Sequence, residues 1–74
     1  MYNKKQRQTL ETALARGLDN PKIIAQQPQG NGHLTVIVAV GNRRVTVRGV
    51  ASTPRDITNT GNKLRQAVTR KLAQ

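Results

Sequence analysis

The chain has 74 residues and a formal net charge of +10, because thirteen Lys and Arg residues stand against only three acids. This length predicts one small domain over residues 1–74, in which folding buries about 60% of the surface of the unfolded chain. The absence of cysteine excludes a disulfide framework, and a single histidine excludes a His-rich metal site, so no metal and no cofactor are expected. A cytoplasmic protein is expected, because no apolar run approaches the roughly 20 residues that cross a bilayer and no signal-peptide pattern is present.

The excess of positive charge favours a polyanionic partner. A compact domain with so many like charges repels itself, and a polyanion relieves that repulsion, so nucleic acid is the first candidate. A solvated surface that only keeps the protein in solution is the alternative. A membrane partner is not expected, because helices that lie on membranes usually carry Trp or Phe and this chain has neither.

The first predicted element is a helix from Lys4 to Leu18. Apolar residues recur there at three- and four-residue spacing, as in Leu10 and Leu14, and the Asn20-Pro21 pair ends the pattern. Residues 22–27 then predict a short strand. Residues 28–32, with the sequence PQGNG, predict a flexible loop.

A β-hairpin with strands over residues 34–40 and 44–50 is the strongest prediction. Gly41-Asn42 suits the tight turn between them, because both residues tolerate positive φ. This turn places Val38 opposite Val45 and Leu34 opposite Gly49. The register collects most aliphatic side chains on one face and leaves Arg44, Thr46 and Arg48 on the other.

A closing helix is predicted from Thr53 through about residue 73. Thr53 is the predicted N-cap, with Pro54 in the first helical position and Asp56 completing a pair that resembles a capping box. Gly61 weakens the pattern. The alternative is a turn over residues 54–59, followed by a helix that begins near Thr60 or Asn62.

The order of these elements predicts an α+β fold. One helix, a three-stranded antiparallel sheet and a second helix form an α-β-β-β-α sandwich, with both helices on one face of the sheet. The other face is then exposed to solvent, which explains why it tolerates arginine.

In element order the chain resembles the double-stranded RNA-binding domain. Gly30-Asn31-Gly32-His33 is similar to the loop with which that family enters an RNA minor groove. Asn62-Lys63-Leu64-Arg65 is similar to the basic start of its last helix, which grips phosphates, although the family has three lysines there. The resemblance implies a module that binds duplex RNA.

The chain also resembles the HicA-like toxins, through Gly32-His33, Arg44-Val45-Thr46-Val47 and the segment from Lys63 to Val68. In that family the histidine is the catalytic residue of an RNA-cleaving enzyme. The resemblance implies a metal-independent ribonuclease in which His33 acts on a ribose 2′-hydroxyl, with Arg48 or Arg44 stabilising the charge on phosphorus. The STPRD segment is similar to small phage-encoded proteins.

Three hypotheses about function follow from the sequence. The first is a protein that grips the backbone of duplex RNA, or of duplex DNA, because single strands need aromatic stacking platforms and Tyr2 is the only aromatic residue. The second is the ribonuclease, with His33 as its catalytic residue. The third is a phage-type protein that docks on an acidic host protein. The predicted nucleic-acid contacts are Lys4, Lys5, Arg7, His33, Arg44, Arg48, Lys63, Arg65 and Arg70.

Overall fold

The computed structural model describes residues 1–53 and 55–74, and it contains two helices and three strands. They follow in the order α1 (Lys4–Leu14), β1 (Lys22–Gly30), β2 (His33–Val40), β3 (Arg43–Ala51) and α2 (Ile57–Leu72). The strands form one antiparallel sheet in the order β1-β2-β3. The predicted α+β class and the α-β-β-β-α order are confirmed.

The core lies between the helices and one face of the sheet. Strand β2 buries every second residue, as alternation along a strand requires when one face is covered. The fully buried side chains are Leu10, Leu14, Leu34, Val36, Val38 and Val68. Because they come from β2 and from both helices, both helices cover the same face, and among residues 1–53 and 55–74 no helix lies on the opposite face of the sheet.

The β2–β3 hairpin has the predicted register over most of its length. Val38 pairs with Val45, and Val36 pairs with Val47. The predicted pairing of Leu34 with Gly49 is wrong, because the register shifts after Val36 and Leu34 pairs with Val50. Gly49 has a φ of 77°, a conformation that glycine adopts readily and that β-bulges use. The shift brings Val50 onto the buried face.

The predicted flexible loop at residues 28–32 is wrong. Strand β1 continues to Gly30, which pairs with His33, so the connection is a two-residue turn. Asn31 and Gly32 have φ values of 58° and 73°, as both central residues of a type I′ turn require. Asn-Gly is the pair that most favours such a turn. His33 therefore follows a tight hairpin turn.

Both helix boundaries differ from the prediction. Helix α1 ends at Leu14, and residues 15–17 form a turn in place of the predicted last helical turn. Helix α2 begins at Ile57 with Asp56 as its N-cap, so the predicted N-cap role of Thr53 is wrong; the predicted role of Pro54 lies outside the described residues. The alternative start near Thr60 or Asn62 is also wrong, because the helix continues through Gly61.

Gly61 lies where the two helices cross. It is buried, and a Cβ atom added to it would lie 2.6 Å from Ala13 Cβ and 3.5 Å from Leu10 Cδ2. No side chain fits in that space. The glycine that weakens the helical pattern in the sequence is thus what allows α2 to pack closely on α1.

Tyr2 ties the start of α1 to the sheet. Its side chain is 4% exposed, and its hydroxyl donates a hydrogen bond to the carbonyl oxygen of Ala51 at the end of β3. Its backbone N–H donates to Gln26 Oε1 on β1 at 2.7 Å. These bonds hold the N-terminus of α1 across the sheet. Burial raises the pKa of the Tyr2 hydroxyl above its ordinary value of 10.0.

Gly61→Leu tests the helix crossing. Leucine favours a helix over glycine by about 1 kcal/mol, but overpacking a core costs about 1–3 kcal/mol and a leucine here meets two side chains of α1. We expect a lower free energy of unfolding in urea. Thr58→Leu, at an exposed position of the same helix, is the matched control and should leave stability unchanged or slightly raised. A Gly61→Leu variant as stable as this control would contradict the close packing.

Tyr2→Phe tests the buried hydroxyl through its pH dependence. The folded protein holds the phenolic proton more tightly than the unfolded chain. This contribution to stability is therefore complete below about pH 10 and is lost as the pH rises through the raised pKa. Between about pH 9 and 11 the wild type should lose stability more steeply than Tyr2→Phe, measured by urea unfolding at each pH. Parallel curves for the two proteins would contradict the burial.

Candidate functional site

Two of the three acidic side chains are engaged by backbone amides. Glu11 Oε2 on α1 accepts a hydrogen bond from the backbone N–H of Ile23 at 2.8 Å, which joins α1 to β1. Asp56 Oδ1 accepts one from the backbone N–H of Asn59 at 3.1 Å, as an N-cap. Asp19 is exposed in the connection between α1 and β1. Glu11 and Asp19 thus lie outside α2 and β3, and Asp56 lies at the N-terminal end of α2.

The orientation of α2 separates Lys63 from Arg65. Leu64, between them, is buried against the sheet. Lys63 lines a groove between α2 and β3. Arg65 instead lies beside Gly17, just after α1, because a Cβ atom added to Gly17 would lie 3.2 Å from Arg65 Cδ. Residues two apart on a helix point about 200° apart. The predicted place of both residues at the start of the helix is wrong, because they lie in its second and third turns. Their contact with phosphates stays a prediction, and the two side chains leave α2 in different directions.

Strand β3 and helix α2 carry six exposed cations, a set that we call the basic side. Lys63 faces β3, and residues seven and eight positions later return to the same flank of a helix. Arg43 Nη1 donates to the carbonyl oxygen of Leu72 at 3.1 Å, which joins the start of β3 to the end of α2. The basic side consists of Arg43, Arg44, Arg48, Lys63, Arg70 and Lys71. All six are exposed.

A groove lies between β3 and α2, and two of the six cations of the basic side, Arg48 and Lys63, line it. Its volume is about 270 Å³, and its lining includes Val47, Leu64 and Ala67 between the cations Arg48 and Lys63. Strand β3 is at the edge of the sheet, so no further strand covers this groove. No acidic residue lines it among residues 1–53 and 55–74.

A second set of predicted residues lies at the end of the molecule where both helices begin. Ser52 donates from its backbone N–H and from its Oγ to the carbonyl oxygen of Gly32, at 3.0 and 2.7 Å. With the Tyr2 contact to Ala51, these bonds bring the starts of α1 and α2 to the Asn31-Gly32 turn. Lys4, Lys5 and His33 are exposed there.

His33 lies on the open face of the sheet, next to the turn. It is exposed and pairs with Ala51, while its neighbour Leu34 points into the core. Arg48 is exposed next to the buried Val47, so it lies on the same face of the sheet, and it is three residues along β3 from Ala51, the partner of His33, or about 10 Å at 3.3 Å per residue. Arg44 pairs with Ala39, six residues along β2, which is about 20 Å away at 3.3 Å per residue. The predicted cooperation of Arg44 with His33 is therefore wrong, and only Arg48 is close enough.

The remaining predicted contacts lie outside the basic side. Arg7 is half-buried, with its Nε atom enclosed by the protein, and it lines a surface depression on the β1 side with Lys4, Glu11 and Lys22. A carboxylate among these cations weakens the local attraction for an anion. The predicted nucleic-acid contacts are therefore divided between the basic side, the β1 side and the end of the molecule where both helices begin.

Arg43 and Lys71 belong to the basic side but were not among the predicted contacts. The eight-residue spacing of Lys71 from Lys63 places both on one helical flank, so the sequence did contain that signal. The position of Arg43 depends on where α2 ends, which only the packed structure shows.

The described part of the chain offers few other sites. Within residues 1–53 and 55–74, no three His, Cys, Asp or Glu side chains are grouped so that they could hold a metal ion. No helix in these residues has the length and apolar character to cross a membrane. Comparison with known proteins found no matching family model, no matching curated protein and no matching solved structure.

Proposed function

We propose that this protein binds the backbone of double-stranded nucleic acid with its basic side. The observation that carries the proposal is the grouping of six exposed cations along β3 and α2, with no acid lining the groove between them. Phosphate contacts from Lys and Arg supply most of the sequence-independent affinity for nucleic acid. Duplex RNA is the preferred ligand, duplex DNA is the second, and the cytoplasm is the expected compartment.

The lack of stacking residues supports a duplex over a single strand. Proteins that bind single strands stack bases on aromatic side chains, each worth about 1–3 kcal/mol. Tyr2 is the only aromatic residue in the sequence, and its ring is buried with its hydroxyl bonded to Ala51. A duplex presents its phosphates outside and keeps its bases stacked, so it needs no such platform.

The arrangement of the basic side in two rows also supports a duplex. The cations of β3 extend from Arg43 to Arg48, about 16 Å at 3.3 Å per residue. Those of α2 extend from Lys63 to Lys71, about 12 Å at 1.5 Å per residue. Two rows of cations can follow the two rows of phosphates that border a groove of a duplex.

Salt dependence tests this proposal. If about five phosphates are contacted, the logarithm of the affinity for a short duplex should fall with the logarithm of salt with a slope near −4 to −5. The triple variant Lys63→Gln, Arg70→Gln, Lys71→Gln should reduce the slope by about 3, because each lost phosphate contact removes about 1. Fluorescence anisotropy measures the affinity at each salt concentration for three ligands: an RNA duplex, the matching DNA duplex and one single strand.

The matched control removes the same charge from residues outside the basic side. Lys4→Gln, Lys5→Gln, Arg16→Gln also lowers the net charge by three, but all three residues lie on or just after α1. We expect its slope to change by less than about 1. Equal effects of the two triple variants would show attraction by net charge alone, and a salt-independent isotherm would exclude backbone binding.

A second candidate function, metal-independent RNA cleavage, is favoured by the position of Arg48 on the same face as His33. In this reaction His33 takes the proton of the 2′-hydroxyl, and the oxygen attacks the adjacent phosphorus. The 5′-oxygen then leaves and takes a proton from water, while Arg48 stabilises the negative charge that develops.

His33→Ala separates the two candidate functions. It should abolish any cleavage of RNA in the presence of EDTA, and it should change duplex affinity by less than about threefold, since the six cations of the basic side are unchanged. Denaturing gels with a labelled RNA measure cleavage. An RNA that stays intact with the wild type would exclude the ribonuclease and leave the binding function unaffected.

A further inference from the structure

The face of the sheet opposite the helices has an apolar centre between positive margins. The register aligns Ala25, Ile37 and Thr46 in one row across the three strands. Ile24, at a register shift in β1, is 47% exposed, and it is the largest exposed aliphatic side chain apart from Met1 among the described residues. Ile37 and Ala39 are half-buried. The apolar centre therefore has no partner within the described residues.

The margins of this open face carry only positive charge. Lys22, Ala39 and Arg44 form a second row, with Lys22 on β1 and Arg44 on β3. Arg48 adds a cation further along β3. Glu11 and Asp56 bond to backbone amides elsewhere, and Asp19 lies outside the sheet. A partner for this face must combine apolar groups with acids on both sides of them.

The width of the face fits one α-helix. Lys22 and Arg44 lie two strand spacings apart, about 10 Å, since neighbouring strands lie about 4.8 Å apart. A helix with its side chains has a diameter of about 10–12 Å. A helix laid along the strands therefore covers Ile24, Ile37 and Ala39, and its flanks reach Lys22 on one side and Arg44 and Arg48 on the other.

Other occupants fit this face less well. A second copy of the chain would bring the same positive margins together, and like charges repel. An added strand at the β1 edge is disfavoured, because register shifts interrupt β1 and Pro28 has no N–H to donate. Phosphates would find nothing to bind in the apolar centre.

We propose that the open face binds an amphipathic α-helix of a partner protein, whose apolar stripe is flanked by acidic residues on both sides. The helix completes a three-layer arrangement in which both faces of the sheet are covered. Its apolar side chains remove Ile24 and Ile37 from water, and its carboxylates pair with the cations at the margins. The inference does not depend on the proposed nucleic-acid function.

The test uses a synthetic helical peptide with a leucine stripe between glutamates, and a second peptide with lysines in place of the glutamates. Amide chemical shifts of the full chain report where each peptide binds. We expect the glutamate peptide to shift Ala25, Ile37 and Thr46 and the lysine peptide to shift nothing. Ile24→Ser should weaken binding about fivefold, because it removes part of the buried apolar area. Ala15→Ser, at an exposed position after α1, is the control and should bind normally.

Four results of the peptide experiment would overturn the proposal. They are no binding of the glutamate peptide, equal binding of the lysine peptide, full affinity in Ile24→Ser, or peptide-induced shifts confined to the groove between α2 and β3. A short RNA duplex that shifts Ala25 and Ile37 would also overturn it, because the open face would then belong to nucleic acid. Duplex affinity that is unchanged in Ile24→Ser separates this test from that of the nucleic-acid function.

Discussion

The close approach of α1 and α2 at Ala13 and Gly61 is the constraint on which the arrangement of charge depends. With Gly61 against α1 and Leu64 and Val68 against the sheet, α2 has one possible rotation about its axis. That rotation turns Lys63 toward β3 and Arg65 toward α1. A bulky residue at the crossing would push the helices apart, and the groove beside β3 would change its width. The packing of one glycine thus determines which cations act together.

The charges close to a bound anion affect its binding more than the net charge of +10 does. The molecule extends over 28 × 20 × 17 Å, whereas exposed charges are largely screened beyond about 8 Å at physiological salt. Cations on opposite sides therefore contribute little to one bound phosphate. Neighbours within one row of the basic side are close enough to act on the same ligand. The acids lower the attraction where Glu11 lies among Lys4, Arg7 and Lys22, and not along the groove.

Patterns that depend on neighbouring residues were predictable from the sequence. The alternation in β2 and β3 and the Gly41-Asn42 turn determine the hairpin register up to Val36 and Val47. Beyond that point a glycine with positive φ shifts the register, and nothing in the local pattern distinguishes it from an ordinary strand glycine. The Asn31-Gly32 turn was predictable, since Asn-Gly favours a type I′ turn, but the proline before it suggests a loop.

The candidate site was less predictable than the fold, because it depends on contacts between distant elements. Lys63 and Arg65 are close in sequence and lie on different flanks of α2. Arg43 and Leu72 are far apart in sequence and joined by a hydrogen bond. Helical spacing gives the relative positions of residues on one helix, but it does not give the rotation of that helix against the sheet. That rotation follows from the fit of Gly61 against Ala13, which involves both helices at once.

Arg44 and Arg48 connect the two surfaces for which we propose ligands. Their side chains leave β3 toward the open face, and β3 also borders the groove beside α2. A duplex on the basic side and an acidic helix on the open face would both draw on these two cations. A cation that is paired with one anion attracts a second anion less strongly, so each bound ligand lowers the affinity for the other. By thermodynamic linkage, the factor by which each affinity falls is the same for both ligands. The edge strand would thus make binding at one surface sensitive to binding at the other without any change in the fold.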